Sequence, residues 1–137
     1  MIILDSNVVS ELMKAEPAVS VRDWVASQPA SRLFITAITQ AEILYGIGLL
    51  PKGRRRNRIA TAATAMFDKD FNGRILPFGS DAAPIYADIA VIRRRKGRSI
   101  SQFDAQIAAM ARSTGAALAT RNVADFEHCE IELIDPW

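Results

Sequence analysis

Short apolar segments alternate along the chain with longer segments in which apolar residues recur at helical spacing. The apolar segments predict five strands: Ile2 to Leu4, Leu33 to Thr36, Arg74 to Phe78, Ala117 to Thr120 and Ile131 to Ile134. The period of amphipathic helices occurs over residues 18–28, 54–70 and 82–96, and Gly73 is placed to cap the second of these helices. Strands that alternate with helices predict an α/β domain with a mainly parallel central sheet flanked by helices.

The composition predicts one globular domain over residues 1–137. A chain of 137 residues can bury one core but is too short for two. Cys129 is the only cysteine, so there is no internal disulfide and no Cys/His cluster to hold zinc. No apolar run approaches the ~20 residues that span a bilayer, and no basic leader precedes the first apolar segment. We therefore expect a cytoplasmic protein that does not enter the membrane.

Two acidic residues lie in otherwise apolar surroundings in the first half of the chain. Asp5 directly follows the first apolar segment, where a carboxylate is costly to desolvate. Glu42 is the only charged residue from Ala37 to Leu50, and the apolar residues of this segment go all the way round a helix, which predicts a buried helix. Thr39 and Glu42 also have the spacing of a capping box, so a purely structural role for Glu42 is an alternative.

Two further acids occupy comparable positions in the second half. Asp104 leads a stripe of small residues on its helix, which indicates close packing against a sheet. Ser101 and Asp104 also have capping-box spacing, and the helix dipole by itself favours an acid near a helix amino end. Asn122 and Asp125 follow the fourth strand, where turn formation would explain both residue types without any function.

The predicted fold gives these acids a common location. Asp5, Asn122 and Asp125 follow strands directly, while Glu42 and Asp104 are expected in the first turns of helices reached from strand ends. In an open parallel sheet such positions meet at the carboxyl edge, where ligand crevices form. Two carboxylates about 4 Å apart repel by about 4 kcal/mol at an effective dielectric constant of ~20, so a divalent cation is expected between them. Oxygen ligands alone favour Mg²⁺ or Mn²⁺, and such a site suits phosphoryl chemistry.

Most of the basic residues occur in two short runs: Lys52, Arg54, Arg55, Arg56 and Arg58, then Arg93, Arg94, Arg95, Lys96 and Arg98. Beside an acidic crevice they would bind the phosphates of a nucleic acid. The candidates for substrate binding are Arg54, Arg55, Arg56, Arg94, Arg95 and Arg121. A solvated face, or a surface for a protein partner or a second copy of the chain, is the alternative for each run. The only histidine, His128, lies in a charged segment and is expected at the surface.

Four segments in order resemble the PIN-domain nucleases, and above all the small toxins of VapBC-type toxin–antitoxin pairs, including their FitB-like subgroup. They are Asp5-Ser6-Asn7, "ITQAEILYGI" with Glu42, "FDAQIAAMA" with Asp104, and "LATRNVADF". The resemblance covers essentially the whole chain. It implies a three-layer domain and a Mg²⁺- or Mn²⁺-dependent endoribonuclease, usually a homodimer, that is neutralised by a small antitoxin.

The resemblance also implies roles for single residues. Asp5 and Asp104 match direct metal ligands, and Glu42 and Asp125 would bind the metal directly or through water. Asn122 stands where some relatives have an aspartate, so either Asp125 supplies the fourth charge or Asn122 serves as a neutral ligand. Ser6 and Asn7 would support the site by hydrogen bonding, although a helix cap would also explain Asn7.

A binding module without catalysis is the alternative from a different class. In that interpretation the basic runs bind RNA or a protein, and the acids act only as helix caps and turn residues.

Overall fold

Five parallel strands form the centre of the computed structural model, which describes residues 1–137. They are β1 (Ile2–Leu4), β2 (Leu33–Thr36), β3 (Ile75–Leu76), β4 (Ala117–Ala119) and β5 (Leu133–Ile134). Their order in the sheet is β3-β2-β1-β4-β5, and every neighbouring pair is parallel. The predicted parallel sheet is therefore confirmed. Both edge strands are shorter than predicted, and β3 ends before Pro77, which has no N–H for a ladder hydrogen bond.

Six α-helices connect and cover the strands: α1 (Ser6–Leu12), α2 (Val19–Ser27), α3 (Ala37–Leu49), α4 (Arg54–Ala65), α5 (Ala83–Arg95) and α6 (Gln102–Thr114). A π-helical turn over Met66–Asp70 continues α4, so the predicted helical segment 54–70 is confirmed. Phe71 caps this turn, and Gly73, at φ 75°, lies in the turn that follows rather than at the cap. None of the helices is both long and apolar enough to cross a membrane.

Alternate residues of β1 face the two helical layers. Ile2 and Leu4 belong to a core that also contains buried residues of α1, α2, α3 and α4. Ile3 belongs to a second core, which is built mainly from the small and aliphatic residues of α6 together with Ile89 of α5. This alternation follows from the two-residue period of a strand. Two helical layers around one sheet match the predicted three-layer arrangement.

The helix α3 is only partly buried, so the expectation of a fully buried helix is wrong. Its buried residues are Thr39, Ile43 and Ile47. Leu44, Tyr45 and Leu49 are exposed by 51%, 70% and 68%. The helix packs one face on the core and leaves a second apolar face at the surface, which the apolar pattern of the sequence cannot distinguish from complete burial.

Different residues from those predicted define the start of α3. The Thr36 hydroxyl, at the end of β2, accepts a hydrogen bond from the N–H of Thr39 at 3.0 Å and caps the helix. Because α3 begins at Ala37, Glu42 lies in the second turn and not the first. The capping-box alternative for Thr39 and Glu42 is therefore wrong, since Thr39 is itself inside the helix.

The start of α6 agrees better with the sequence pattern. The Ser101 hydroxyl accepts a hydrogen bond from the N–H of Asp104 at 3.1 Å, which places Asp104 in the first helical turn. The helix is nevertheless reached from α5, and not from a strand end as expected. This hydrogen bond accounts for the main-chain N–H of Asp104.

Replacing Thr36 by alanine should lower the free energy of unfolding by about 1–2 kcal/mol, because the buried N–H of Thr39 would lose its acceptor. Urea denaturation of wild type and variant measures this difference. Thr61→Ala, at an exposed position of α4, is the matched control and should be neutral or slightly stabilising. Equal losses for both variants would contradict the assigned cap.

Candidate active site

Asp5 is the most buried of the four acids, with 3% of its surface exposed. It follows β1 directly, and its N–H donates to the Ala119 carbonyl of the neighbouring strand β4 at 2.9 Å. Its Oδ1 accepts a hydrogen bond from the Ser6 N–H, and its Oδ2 accepts one from the Thr120 hydroxyl, both at 2.8 Å. Both carboxylate oxygens are thereby held in place, and Asp5 also caps α1.

Asn7 joins the end of β1 to the end of β4. Its Nδ2 donates to Asp5 Oδ2 at 3.3 Å and to Thr120 Oγ1 at 3.1 Å, and its Oδ1 accepts from the Arg121 N–H at 3.3 Å. Since Asp5 and not Asn7 caps α1, the helix-cap alternative for Asn7 is wrong.

Thr120, which the sequence motifs did not single out, is completely buried beside Asp5. Its hydroxyl donates to Asp5 Oδ2 and accepts from the N–H of Asn122 at 3.0 Å. The available signal was a threonine that ends a buried strand next to polar residues, but only the pairing of β1 with β4 shows what this hydroxyl contacts.

Glu42 and Asp104 reach the same region from α3 and α6. Burial raises the pKa of the Glu42 carboxyl to about 7, and the negative charges of Asp5 and Asp104 add to this increase, while the Ser6 hydroxyl opposes it. Burial also raises the pKa of Asp5, where hydrogen bonds from Thr120 and Ser6 lower it and the charge of Asp104 again raises it. These three carboxylates are therefore close enough for their charges to act on one another.

Asp125 lies on a short 3₁₀ turn, Val123–Phe126, that follows β4. Its side chain is exposed, and its charge raises the pKa values of Asp5 and Asp104. The pKa of Asp104 is raised mainly by burial and is lowered by the Ser101 hydroxyl. Asn122 is also exposed and interacts with Thr120 through its main-chain N–H. Of Asn122 and Asp125, only Asp125 carries a charge, and that charge acts on Asp5 and Asp104.

The chemistry of these side chains suits a hard divalent cation. All four acids offer oxygen atoms, which Mg²⁺ and Mn²⁺ prefer. The Oε1 atom of Glu42 is buried and has no hydrogen-bond partner, as expected for an oxygen whose partner is a ligand. No three Asp, Glu, His or Cys side chains form a ready-made metal-binding group. The acids thus lie in one region and offer suitable oxygen atoms, but their side chains are not already arranged around a common metal position.

A cleft of about 490 Å³ adjoins Glu42 between α1, α3 and α4. Ile43, Ile47 and Ile59 form part of its apolar wall. Basic side chains also line it: Lys14, Arg55 and Arg58. Of the first basic run, the structure therefore brings Arg55 and Arg58 towards the acids, whereas Arg54 and Arg56 do not line this cleft.

The second basic run contains both buried and exposed side chains. Arg93 is buried and hydrogen-bonded to main-chain carbonyls, so it is not available to a phosphate. Arg94 and Arg95 are exposed, as expected for substrate binding or for a solvated face. The guanidinium of Arg121 lies 5.1 Å from the centre of the Trp137 ring in a cation–π arrangement, while the main-chain N–H of Arg121 donates to Asn7. His128 is exposed as predicted.

The fold and the site define an α/β domain with a group of acidic side chains at the carboxyl edge of a parallel sheet. The PIN domain family model matches residues 2–130, and the chain belongs to this family. The resemblance inferred from the sequence motifs is therefore confirmed.

Similar proteins cover the chain from end to end. It is 39% identical to the VapC ribonuclease Y4jK of Sinorhizobium fredii over 100% of this chain and 98% of that protein. It is 34% identical to the toxin FitB of Neisseria gonorrhoeae over 100% of this chain and 99% of that protein. A solved structure of FitAB bound to an IR36 DNA fragment matches it with a TM-score of 0.92 and 34% identity, over 100% of this chain and 96% of that chain.

The raised pKa of Glu42 should make stability depend on pH. Between 4.5 and about 7 the folded protein holds a proton on Glu42 that the unfolded chain has released, so the free energy of unfolding falls as pH rises through this window. Glu42→Gln removes this titration. In urea denaturation with a chelator present, the stability of the variant relative to wild type should rise through the window and then level off.

Ser20→Ala provides the control for this measurement, because Ser20 is exposed on α2 and neither side chain titrates. Its stability relative to wild type should stay constant over the same pH range. A constant difference for Glu42→Gln as well would contradict the assigned environment of Glu42.

Proposed function

We propose that this chain is a divalent-metal-dependent endoribonuclease that acts in the cytoplasm as the toxin of a toxin–antitoxin pair. The observation that carries this proposal is the convergence of Asp5, Glu42 and Asp104: burial, and then the charges of Asp5 and Asp104, raise the pKa of Glu42. The relatives support the substrate class and the biological role, because one is named a VapC ribonuclease and another the toxin FitB. The cognate antitoxin is the expected protein partner, since the similar FitAB structure is a complex.

Asp5 and Asp104 are the proposed direct ligands of Mg²⁺ or Mn²⁺, with Glu42 and Asp125 binding directly or through water. When bound, such a cation supplies Lewis-acid activation of water and offsets charge on the scissile phosphate. In the hydrolysis, a water oxygen bonds to phosphorus and the bond from phosphorus to one ribose oxygen breaks. The chain contributes orientation, because Ser6 and Thr120 hold the two oxygens of Asp5 in fixed directions.

Asp5→Asn or Asp104→Asn should reduce RNA cleavage and growth toxicity by on the order of 100-fold or more, beyond the ~10–100-fold typical of residues that only support a metal ligand. Asparagine keeps the size of each side chain but removes the charge that binds the cation. Cleavage of total RNA with added Mn²⁺ and growth after induction measure the effect, and circular dichroism shows whether the variants are folded.

Asp88→Asn is the matched control and should retain full activity, since Asp88 is exposed on α5 and its charge is not among those that shift the pKa values of Asp5, Glu42 and Asp104. The binding-module alternative makes the opposite prediction for the two site variants. If folded Asp5→Asn and Asp104→Asn proteins remained toxic, the nuclease proposal would have to be abandoned.

The cleft beside Glu42 is the proposed path for RNA that flanks the scissile bond. Arg55 and Arg58 line this cleft, and no acidic side chain is ion-paired with either of them. Their charges would offset the repulsion between the acids and the phosphates of the substrate. Further substrate contacts stay predictions for the other arginines that the sequence analysis selected: Arg54, Arg56, Arg94, Arg95 and Arg121.

Arg55→Gln and Arg58→Gln should weaken RNA binding at low salt and reduce its salt dependence. The slope of log affinity against log salt should become shallower by about 0.7 for each phosphate that the variant no longer neutralises. Filter binding of single-stranded RNA to an Asp5→Asn background measures affinity without cleavage. Arg22→Gln, at an exposed site on α2, should leave the slope unchanged. If the cleft variants fail to bind antitoxin and keep the full salt slope, the cleft serves the protein partner and not RNA.

A homodimer stays a prediction for this chain. The exposed apolar side chains on α3, Leu44, Tyr45 and Leu49, favour a surface that another protein covers, because large apolar patches on a monomer are uncommon.

A further inference from the structure

Arg93 is an unusual side chain because it carries a full charge and is only 4% exposed. It lies near the carboxyl end of α5, one turn after the core residue Ile89 and directly before the exposed Arg94. No carboxylate forms an ion pair with it. A buried guanidinium is strongly destabilising unless its donors are satisfied, so its contacts must account for its presence.

Arg93 makes two of its hydrogen bonds to the main chain of the segment that carries Asp125, a third to the main chain ahead of α6, and a long one to the Cys129 Sγ at 3.8 Å. Its Nη1 donates to the Asp125 carbonyl at 2.7 Å and to the Glu127 carbonyl at 3.0 Å. Its Nε donates to the Arg98 carbonyl at 2.7 Å. One side chain thus connects three main-chain carbonyls, two of them on either side of the buried Phe126.

The connected segment has a conformation that needs such support. His128 and Glu130 have φ values of 64° and 57°, a region that non-glycine residues rarely adopt. The only regular structure in the segment is the single 3₁₀ turn at Val123–Phe126. Hydrogen bonds from the Arg93 side chain therefore hold this segment in place of the main-chain hydrogen bonds of a strand or a longer helix.

We propose that Arg93 is a positioning residue of the acidic site: it fixes the turn that carries Asp125, and so sets where the Asp125 carboxylate stands relative to Asp5 and Asp104. The role rests on the proposed function, in which Asp125 contributes to metal binding. Arg93 touches neither the metal nor the RNA in this proposal. Its charge also lies close enough to Asp104 to favour the ionised carboxylate there.

Amide hydrogen exchange of Arg93→Gln tests the structural half of the proposal without metal or RNA. Exchange should become at least about tenfold faster in the peptide covering 122–130, while the peptides that contain β1 and α3 stay as in wild type. Ile89→Val, one turn earlier on α5, is the control for a general weakening of this helix. Faster exchange throughout the protein, or equal changes in both variants, would show that Arg93 does not specifically fix the turn that carries Asp125. This readout holds even if the ribonuclease proposal fails.

Direct titration with Mn²⁺, followed by the electron paramagnetic resonance of free Mn²⁺, tests the functional half. Arg93→Gln should weaken Mn²⁺ binding about 10–100-fold, the range found when groups that orient metal ligands are removed. Arg93→Lys keeps the charge and part of the hydrogen bonding, so its Mn²⁺ affinity should lie between those of Arg93→Gln and wild type. If Arg93→Gln does not fold, the comparison is made between Arg93→Lys and wild type. RNA cleavage by either variant should return towards the wild-type rate when Mn²⁺ is raised to saturation.

Unchanged Mn²⁺ affinity in a folded variant with a loosened turn would overturn the positioning role and leave Arg93 as a structural residue only. If wild-type protein bound Mn²⁺ but did not cleave RNA, the ribonuclease proposal would fail while the titration still decided the role of Arg93.

Discussion

The buried carboxylate of Asp5 is the interaction on which the rest of the site depends. A charge that is 3% exposed at a strand end requires donors, and two of them come from opposite ends of the chain: the Ser6 N–H and the Thr120 hydroxyl. The pairing of β1 with β4 supplies the second donor, since Leu4 stands opposite Ala119. A register shift of one residue would turn the Thr120 side chain to the other face of the sheet. The register of two three-residue strands thus determines the geometry of the acidic site.

Convergence of the acids has a cost in stability that the remainder of the fold must offset. Burial and like charge raise the pKa values of Asp5, Glu42 and Asp104, so their ionised forms are disfavoured in the folded protein. Two apolar cores, of 14 and 13 buried residues, pack against the two faces of the sheet and supply the opposing stabilisation. A site that reduces stability in this way is expected where a protein binds a ligand of opposite charge.

Neighbouring arginines in one run serve different purposes in this fold. Residues 93, 94 and 95 are consecutive, but each helical residue is rotated by about 100° from the last, so the run cannot all face one way. Arg93 turns into the protein and holds the turn of Asp125, whereas Arg94 and Arg95 face solvent. The first run divides similarly, with Arg55 and Arg58 three residues apart on the side of α4 that faces the cleft. Helical geometry therefore divides each cluster of basic residues between different surroundings in the fold.

The amino-acid sequence by itself determined the alternation of strands and helices and the family, and it singled out the four candidate acids, because these depend on local periodicity and on residue types at fixed separations. It did not determine that Thr36 caps α3, that one apolar face of α3 is exposed, or that Arg93 is buried. Nor did it reveal Thr120, which lies 115 residues from Asp5 along the chain. Those features depend on which elements meet in space. A periodic pattern specifies a face, but only tertiary packing decides what that face contacts.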